Sequence, residues 1–192
     1  MAKRSSWGSV ADYIRETDKI MILLTFAATV FGCIAVMSAT RYTESFSQFI
    51  TQCIAGFGGL IGAIIISNID YKDMLKLWYL AVPVGLIPVV LTFFIGFAPA
   101  GTDDKAWLML PGGITFQPSE LMKICFIITI AAHLGYAKEH DINTLKTLIP
   151  LAIHGLFPVG LILVQGDAGT AIIFGIIFAA MMFAAGLTIR YY

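Results

Sequence analysis

Residues 106–123 read AWLMLPGGITFQPSELMK, and the fold is decided by how this stretch passes from loop into helix. Pro118 suits the first position of a helix, where its missing N–H costs nothing and its fixed φ is already helical. Gln117 is then the N-cap, and Glu120 is the third helical residue, where a carboxylate can reach free backbone N–H groups. Lys123 follows Glu120 by three positions, on the same helical face, so the two can pair. Between 124 and 137 there is no Asp, Glu, Lys or Arg. The charged pair therefore stands in the first turns of a helix otherwise suited to lipid. Ionisable groups in such a helix are functional candidates. A purely structural reading competes on equal terms, with Glu120 capping the helix dipole and Lys123 snorkelling toward headgroups.

Composition points the same way. Hydrophobic residues make up 58% of the 192 and charged residues 12%, against roughly 25% in soluble domains. Mean hydropathy is +0.86. This is an all-α polytopic membrane protein by expectation, because long continuous apolar runs exclude a closed barrel. Uncharged intervals place five spans near 20–40, 45–69, 77–100, 147–166 and 168–189, and a sixth, near 117–136, is long enough only if Glu120 and Lys123 are included. Each suffices for a hydrocarbon core of about 30 Å. Residues 1–19 form a polar leader with Trp7, Val10, Ala11 and Ile14 at helical spacing, which suits a cytoplasmic interfacial helix better than a cleaved signal. With the N-terminus inside, nine Lys and Arg residues fall on inner segments and two, Arg41 and Lys105, on outer ones, a clear positive-inside bias. Zero net charge argues against nucleic acid as a partner. Cys33, Cys53 and Cys125 all sit in apolar runs and read as free thiols used as small hydrophobes, with no disulfide framework and no metal spacing.

That orientation brings the 99–116 loop, the helix start at Pro118 and Asp167 to the outer face. Asp167, between Gly166 and Gly169, is a natural N-cap for the last span or a site of close backbone approach. Trp107 fits an interfacial anchor, while Asp103 and Asp104 fit a solvated loop tip without metal-ligand spacing. His154 reads as a hydrogen-bonded bundle residue. Small residues at Gly58, Gly59 and Gly62, and at Ala179, Ala180, Ala184 and Ala185, suggest close helix packing.

The run AW-L-x-x-PGG-x-x-FQPSELMK resembles the signature of the SEDS family (shape, elongation, division and sporulation), which includes RodA, FtsW and SpoVE. Residues 165–171, QGDAGTA, resemble the family's Q-P-D-x-G-T-A motif, with Gly166 where Pro is usual. The resemblance runs from Asp18 onward and implies about six helices of an incomplete ten-helix bundle, the N-terminal part of a family member. It implies a glycosyltransferase polymerising lipid II into peptidoglycan at the outer face of the bacterial cytoplasmic membrane, with a class B penicillin-binding protein as partner. Trp107, Gln117, Pro118, Ser119, Glu120 and Lys123 match the first motif, and Asp167, Gly169 and Thr170 the second, as substrate-binding or structural positions. The family's catalytic Asp lies in a later outer loop, beyond residue 192, so the catalytic residue stays unassigned and the chain alone is expected not to polymerise lipid II. Ala106 stands where family members commonly carry Arg. No bound cofactor is implied, although a divalent cation is compatible with the pyrophosphate leaving group. A lipid II flippase and an inactive partner-binding fragment are the alternative readings.

Overall fold

The computed structural model describes residues 18–41, 46–99, 101–111, 115–140 and 142–187. The proposed leader helix, Glu44, Gly112 and Gly113 of the Pro-Gly-Gly turn, and the last residues of the sixth expected span lie outside them. The chain divides into two compact units, one ending at Asp70 and the other starting at Tyr71.

The first unit is a helical hairpin, α1 (Lys19–Ala39) and α2 (Ser47–Ser67). Asp18 starts α1 by accepting from the backbone N–H groups of Ile20 at 2.9 Å and Met21 at 3.3 Å, which satisfies donors that have no helical partner. The two helices approach closely at Gly32 and Gly56. A Cβ on Gly32 would lie 3.1 Å from Gln52 Nε2, and one on Gly56 only 2.6 Å from a methyl of Thr29. Phe26 and Phe57 add a tilted ring contact at 6.5 Å. The hydroxyls of Thr25, Thr29 and Thr51 each donate to a carbonyl of their own helix, so they tie nothing across the hairpin. The small-residue expectation for Gly58, Gly59 and Gly62 fails: a Cβ at any of them would meet nothing within 4 Å. Gly32 and Gly56 make the close approach instead.

The second unit holds α3 (Tyr71–Lys76), α4 (Trp78–Ile95), α5 (Pro118–Glu139), α6 (Leu145–Val164) and α7 (Ala168–Ala185). Helix α5 is the hub and packs against each of the other four. Its buried residues Met122, Phe126, Ile130, Leu134 and Ala137 recur every three to four positions, the spacing of one helical face. Ala81, Gly85, Val89 and Thr92 do the same on α4. Gly85 lets the helices close, since a Cβ there would lie 2.8 Å from that of Cys125. Phe126 and Phe174 meet at 5.2 Å in the core, and Gly155 of α6 admits the Phe178 ring of α7. Ala179, Ala180 and Ala184 are exposed and Ala185 only fringes this core, so close packing here does not follow the alanine spacing.

Helix α4 stops at Ile95, short of the expected 100, because Gly96 turns extended, with φ −69° and ψ 151°. Phe97 then pairs with Trp107 as an antiparallel bridge. Strands β1 (Leu108–Met109) and β2 (Thr115–Phe116) pair with Leu108 opposite Phe116. This patch leads directly into α5. Among the described residues, six helices are long and apolar enough to cross a membrane. The protein is an all-α polytopic membrane protein, and a small two-stranded sheet lies between α4 and α5.

Candidate functional site: a polar cluster at one end of the second unit

The end of α4, the start of α5, the end of α6 and the start of α7 meet at one end of the second unit. Two polar knots hold them there. In the first, Asp167 caps α7 by accepting from the Thr170 backbone N–H at 2.8 Å through Oδ1. Its other oxygen accepts from Gln117 Nε2 at 2.8 Å. Both carboxylate oxygens are thereby engaged. Gln117 is the N-cap residue of α5 but makes no side-chain cap bond to its own helix. It spends its amide on α7 instead.

The second knot uses Gln165. Its Nε2 donates to the Val89 carbonyl at 3.2 Å and to the Thr92 hydroxyl, and Thr92 donates in turn to the same carbonyl at 2.7 Å. All of this is buried, and it fixes the end of α6 to the end of α4. Gly166 follows at φ +90°, a left-handed conformation that glycine adopts without penalty. Pro, which the resemblance leads one to expect here, has φ fixed near −65° and could not adopt this backbone. A Cβ on Gly166 would also sit 3.7 Å from the Cα of Asp104, so the 101–107 loop lies over this turn. Asp104 is half-buried there, unlike Asp103, which is exposed as expected of a solvated tip.

Lys123 Nζ and Glu120 Oε1 pair at 2.8 Å, with the lysine side chain 18% exposed and the glutamate 58%. The lysine is thus the sheltered partner, and Glu120 is the exposed one. Glu120 is engaged by Lys123 instead of reaching back to the helix N-terminus. Trp107 is half-buried and held by its backbone pairing to Phe97. Ala106 beside it is 2% exposed, a position too enclosed for an unpaired arginine. Gly169 is exposed at the first turn of α7, while Pro118 and Thr170 are buried.

Two buried polar atoms in this region lack a partner among the described residues: Ser119 Oγ and Gln165 Oε1. Each such atom costs about 1–3 kcal/mol unless water or a ligand satisfies it. The same end also gathers the N-termini of α5 and α7, where backbone N–H groups and the helix dipole favour an anion.

A further cluster, which the sequence reading left out apart from His154, lies at mid-helix. His133 of α5 and His154 of α6 stack at 5.3 Å and share a hydrogen bond between their Nδ1 atoms at 3.0 Å. His154 Nε2 lies 3.2 Å from Thr129 Oγ1, whose proton goes to the Phe126 carbonyl at 3.0 Å. Thr129 therefore accepts from His154 Nε2–H, which leaves His154 Nδ1 to accept from His133 Nδ1–H. His154 also borders a cavity of about 80 Å³ lined by Gly85, Cys125, Phe126 and Thr129. Two histidines at mid-span in successive helices are the signal that could have found this pair. Counting only Asp, Glu, Lys and Arg concealed it.

The FtsW/RodA/SpoVE family model, described as "Cell cycle protein", matches residues 18–192. Three relatives bear the name "Probable peptidoglycan glycosyltransferase FtsW". That of Trichlorobacter lovleyi is 31% identical over 183 residues, covering 90% of this chain and 47% of the relative. That of Geobacter sulfurreducens is 30% identical over 191 residues, with 93% and 49% covered. That of Alcanivorax borkumensis is 27% identical over 183 residues, with 91% and 47% covered. The chain thus spans about half the length of the curated relatives it matches. No solved structure matches it. With the family model covering every described residue and both motifs meeting in one cluster, the chain belongs to the FtsW/RodA/SpoVE family of cell cycle proteins.

Proposed function

We propose that this chain forms part of the membrane domain of a peptidoglycan glycosyltransferase, and that the cluster at Gln117 and Asp167 helps to bind its lipid-linked substrate, lipid II. The observation that carries this is the 2.8 Å bond between Gln117 and Asp167, which joins the two family motifs across 50 residues. Convergent helix N-termini suit a pyrophosphate, and Lys123 supplies a sheltered positive charge beside them. Asp167, with both oxygens engaged, acts in this reading as a positioning group and not as the base for the acceptor hydroxyl. A divalent cation would arrive with the pyrophosphate, since Asp167 and Glu120 are already committed and do not form a ready-made ligand set. A class B penicillin-binding protein is the proposed partner, on the family resemblance.

The proposed topology follows the charge bias, with the N-terminus cytoplasmic and the cluster at the outer face. Cysteines introduced at Arg41 or Asp103 should label from outside intact cells. Labelling at Lys72 or His140 from outside would reverse the orientation. For the substrate, the chain in liposomes is titrated with fluorescent lipid II. Saturable binding without movement of the lipid between leaflets is expected. Absence of binding would refute the substrate assignment, and transbilayer movement would replace the reading with transport.

A further inference from the structure

The thiols of Cys33 and Cys53 face each other across the α1–α2 hairpin, with Cys53 Sγ donating to Cys33 Sγ at 3.5 Å. Three features of the hairpin set this up. Gly32 precedes Cys33 and Gly56 follows Cys53 by three positions, and these are the two glycines at which the helices close together. Cys33 is also the one buried residue of either helix among the described residues, so the contact lies at the centre of what little interface the hairpin has. Each cysteine is six residues from the helix end nearest the 40–46 connection, which is about 9 Å at 1.5 Å per residue. A pair at that depth lies in one leaflet, within reach of small uncharged reagents dissolved in lipid.

We propose that Cys33 and Cys53 are a dithiol modification site, oxidised reversibly to an intrachain disulfide by an uncharged, lipid-soluble disulfide. In the exchange, one cysteine sulfur attacks the reagent's S–S bond and expels one thiol. The second cysteine sulfur then attacks the mixed disulfide and expels the other. Two S–H bonds and one reagent S–S bond break, one Cys33–Cys53 bond forms, and the protons and electrons leave with two reagent thiols. The sulfurs must close from 3.5 Å to about 2.05 Å, a movement that side-chain rotation can supply where no bulky residue intervenes. The product pins α1 to α2 beside the Phe26–Phe57 ring contact and the two close glycine approaches. Cys125, a buried thiol of the other unit with no second cysteine in that unit, provides an internal comparison and is expected to carry a mixed disulfide.

The test treats the full chain in liposomes with dipyridyl disulfide, followed by intact-mass and peptide analysis. The expected result is the loss of two hydrogens, a linked pair of peptides containing Cys33 and Cys53, and reversal by dithiothreitol. After cleavage following Arg41, the two fragments should stay joined until reduced. Cys33→Ser should leave Cys53 carrying a stable pyridylthio adduct, and Cys53→Ser the converse. Separate adducts on both cysteines of the unaltered chain would overturn the proposal. So would links formed only between chains, or an inert pair in protein whose denatured form reacts.

Discussion

The two units are built from helices of similar apolarity, yet they use that apolarity in opposite ways. In α1 and α2 nearly every large side chain is exposed, and Cys33 is the single buried residue of the pair among those described. In the second unit, α5 has the lowest mean hydropathy of the six candidate spans and also the largest buried share. Within a membrane that inversion is expected. Lipid rewards apolar surface on the outside of a bundle, whereas the interior can accept polar groups that bond to one another. Thr92, Gln165, Thr129 and the His133–His154 pair occupy that interior. Hydropathy thus locates spans, while departures from it locate the inside of the bundle.

Steric substitutions should expose the contrast most sharply. At Gly96 a Cβ would lie 2.3 Å from the Thr92 carbonyl oxygen and 2.6 Å from that of Lys105. Backbone cannot yield as a side-chain tip can, so Gly96→Ala should remove more than about 3 kcal/mol and abolish the turn from α4 into the sheet. The expected readout is loss of monodisperse protein on size-exclusion chromatography in detergent. Gly155→Ala should cost less, about 1–3 kcal/mol, because the Phe178 ring that a Cβ would strike at 2.3 Å can shift at the price of neighbouring packing. A lowered thermal unfolding midpoint checks it, and a midpoint equal to that of the unaltered chain would mean that the α6–α7 contact is looser than described.

Next in size is the Glu120–Lys123 pair. Lys123 is the sheltered partner, so Glu120→Ala leaves a poorly solvated cation and should cost about 1–2 kcal/mol, more than Lys123→Ala. The double variant should be less than additive in stability. Equal and additive losses would reduce the pair to an ordinary surface contact, of about 0–1 kcal/mol. The smallest effect is expected in the first unit. Gly58→Ala meets nothing within 4 Å and should change the unfolding midpoint by no more than about 0.5 kcal/mol allows. A large loss there would show that α2 is covered on a face the hairpin leaves bare.

These expectations also mark what the sequence made legible. Five of the six spans follow from uncharged intervals because charge is costly in lipid at almost every position, and the sixth is reached only by including Glu120 and Lys123. Pro118 and Asp167 announce helix starts by their own chemistry, and both helices begin there. The Phe97–Trp107 bridge and the two-residue strands were not legible, since elements so short carry no periodicity. Gly58, Gly59 and Gly62 misled for a different reason. Small-residue spacing says that close approach is possible on a face, but not which face has a neighbour. By sequence position Gln117 is a cap for its own helix. Only the fold could reveal that its amide crosses to Asp167, because a bond over 50 residues leaves no local trace.

The central claim is that the two motifs form one substrate-binding unit, and a double-mutant cycle on lipid II affinity tests it most directly. Gln117→Leu removes the donor, and Asp167→Asn alters the acceptor while keeping an N-cap residue for α7. If Gln117 and Asp167 act together, each single variant should weaken binding roughly tenfold, about 1.4 kcal/mol, and the double variant should be no weaker than the weaker single. Additive losses, or single variants that bind as the unaltered chain does, would contradict it.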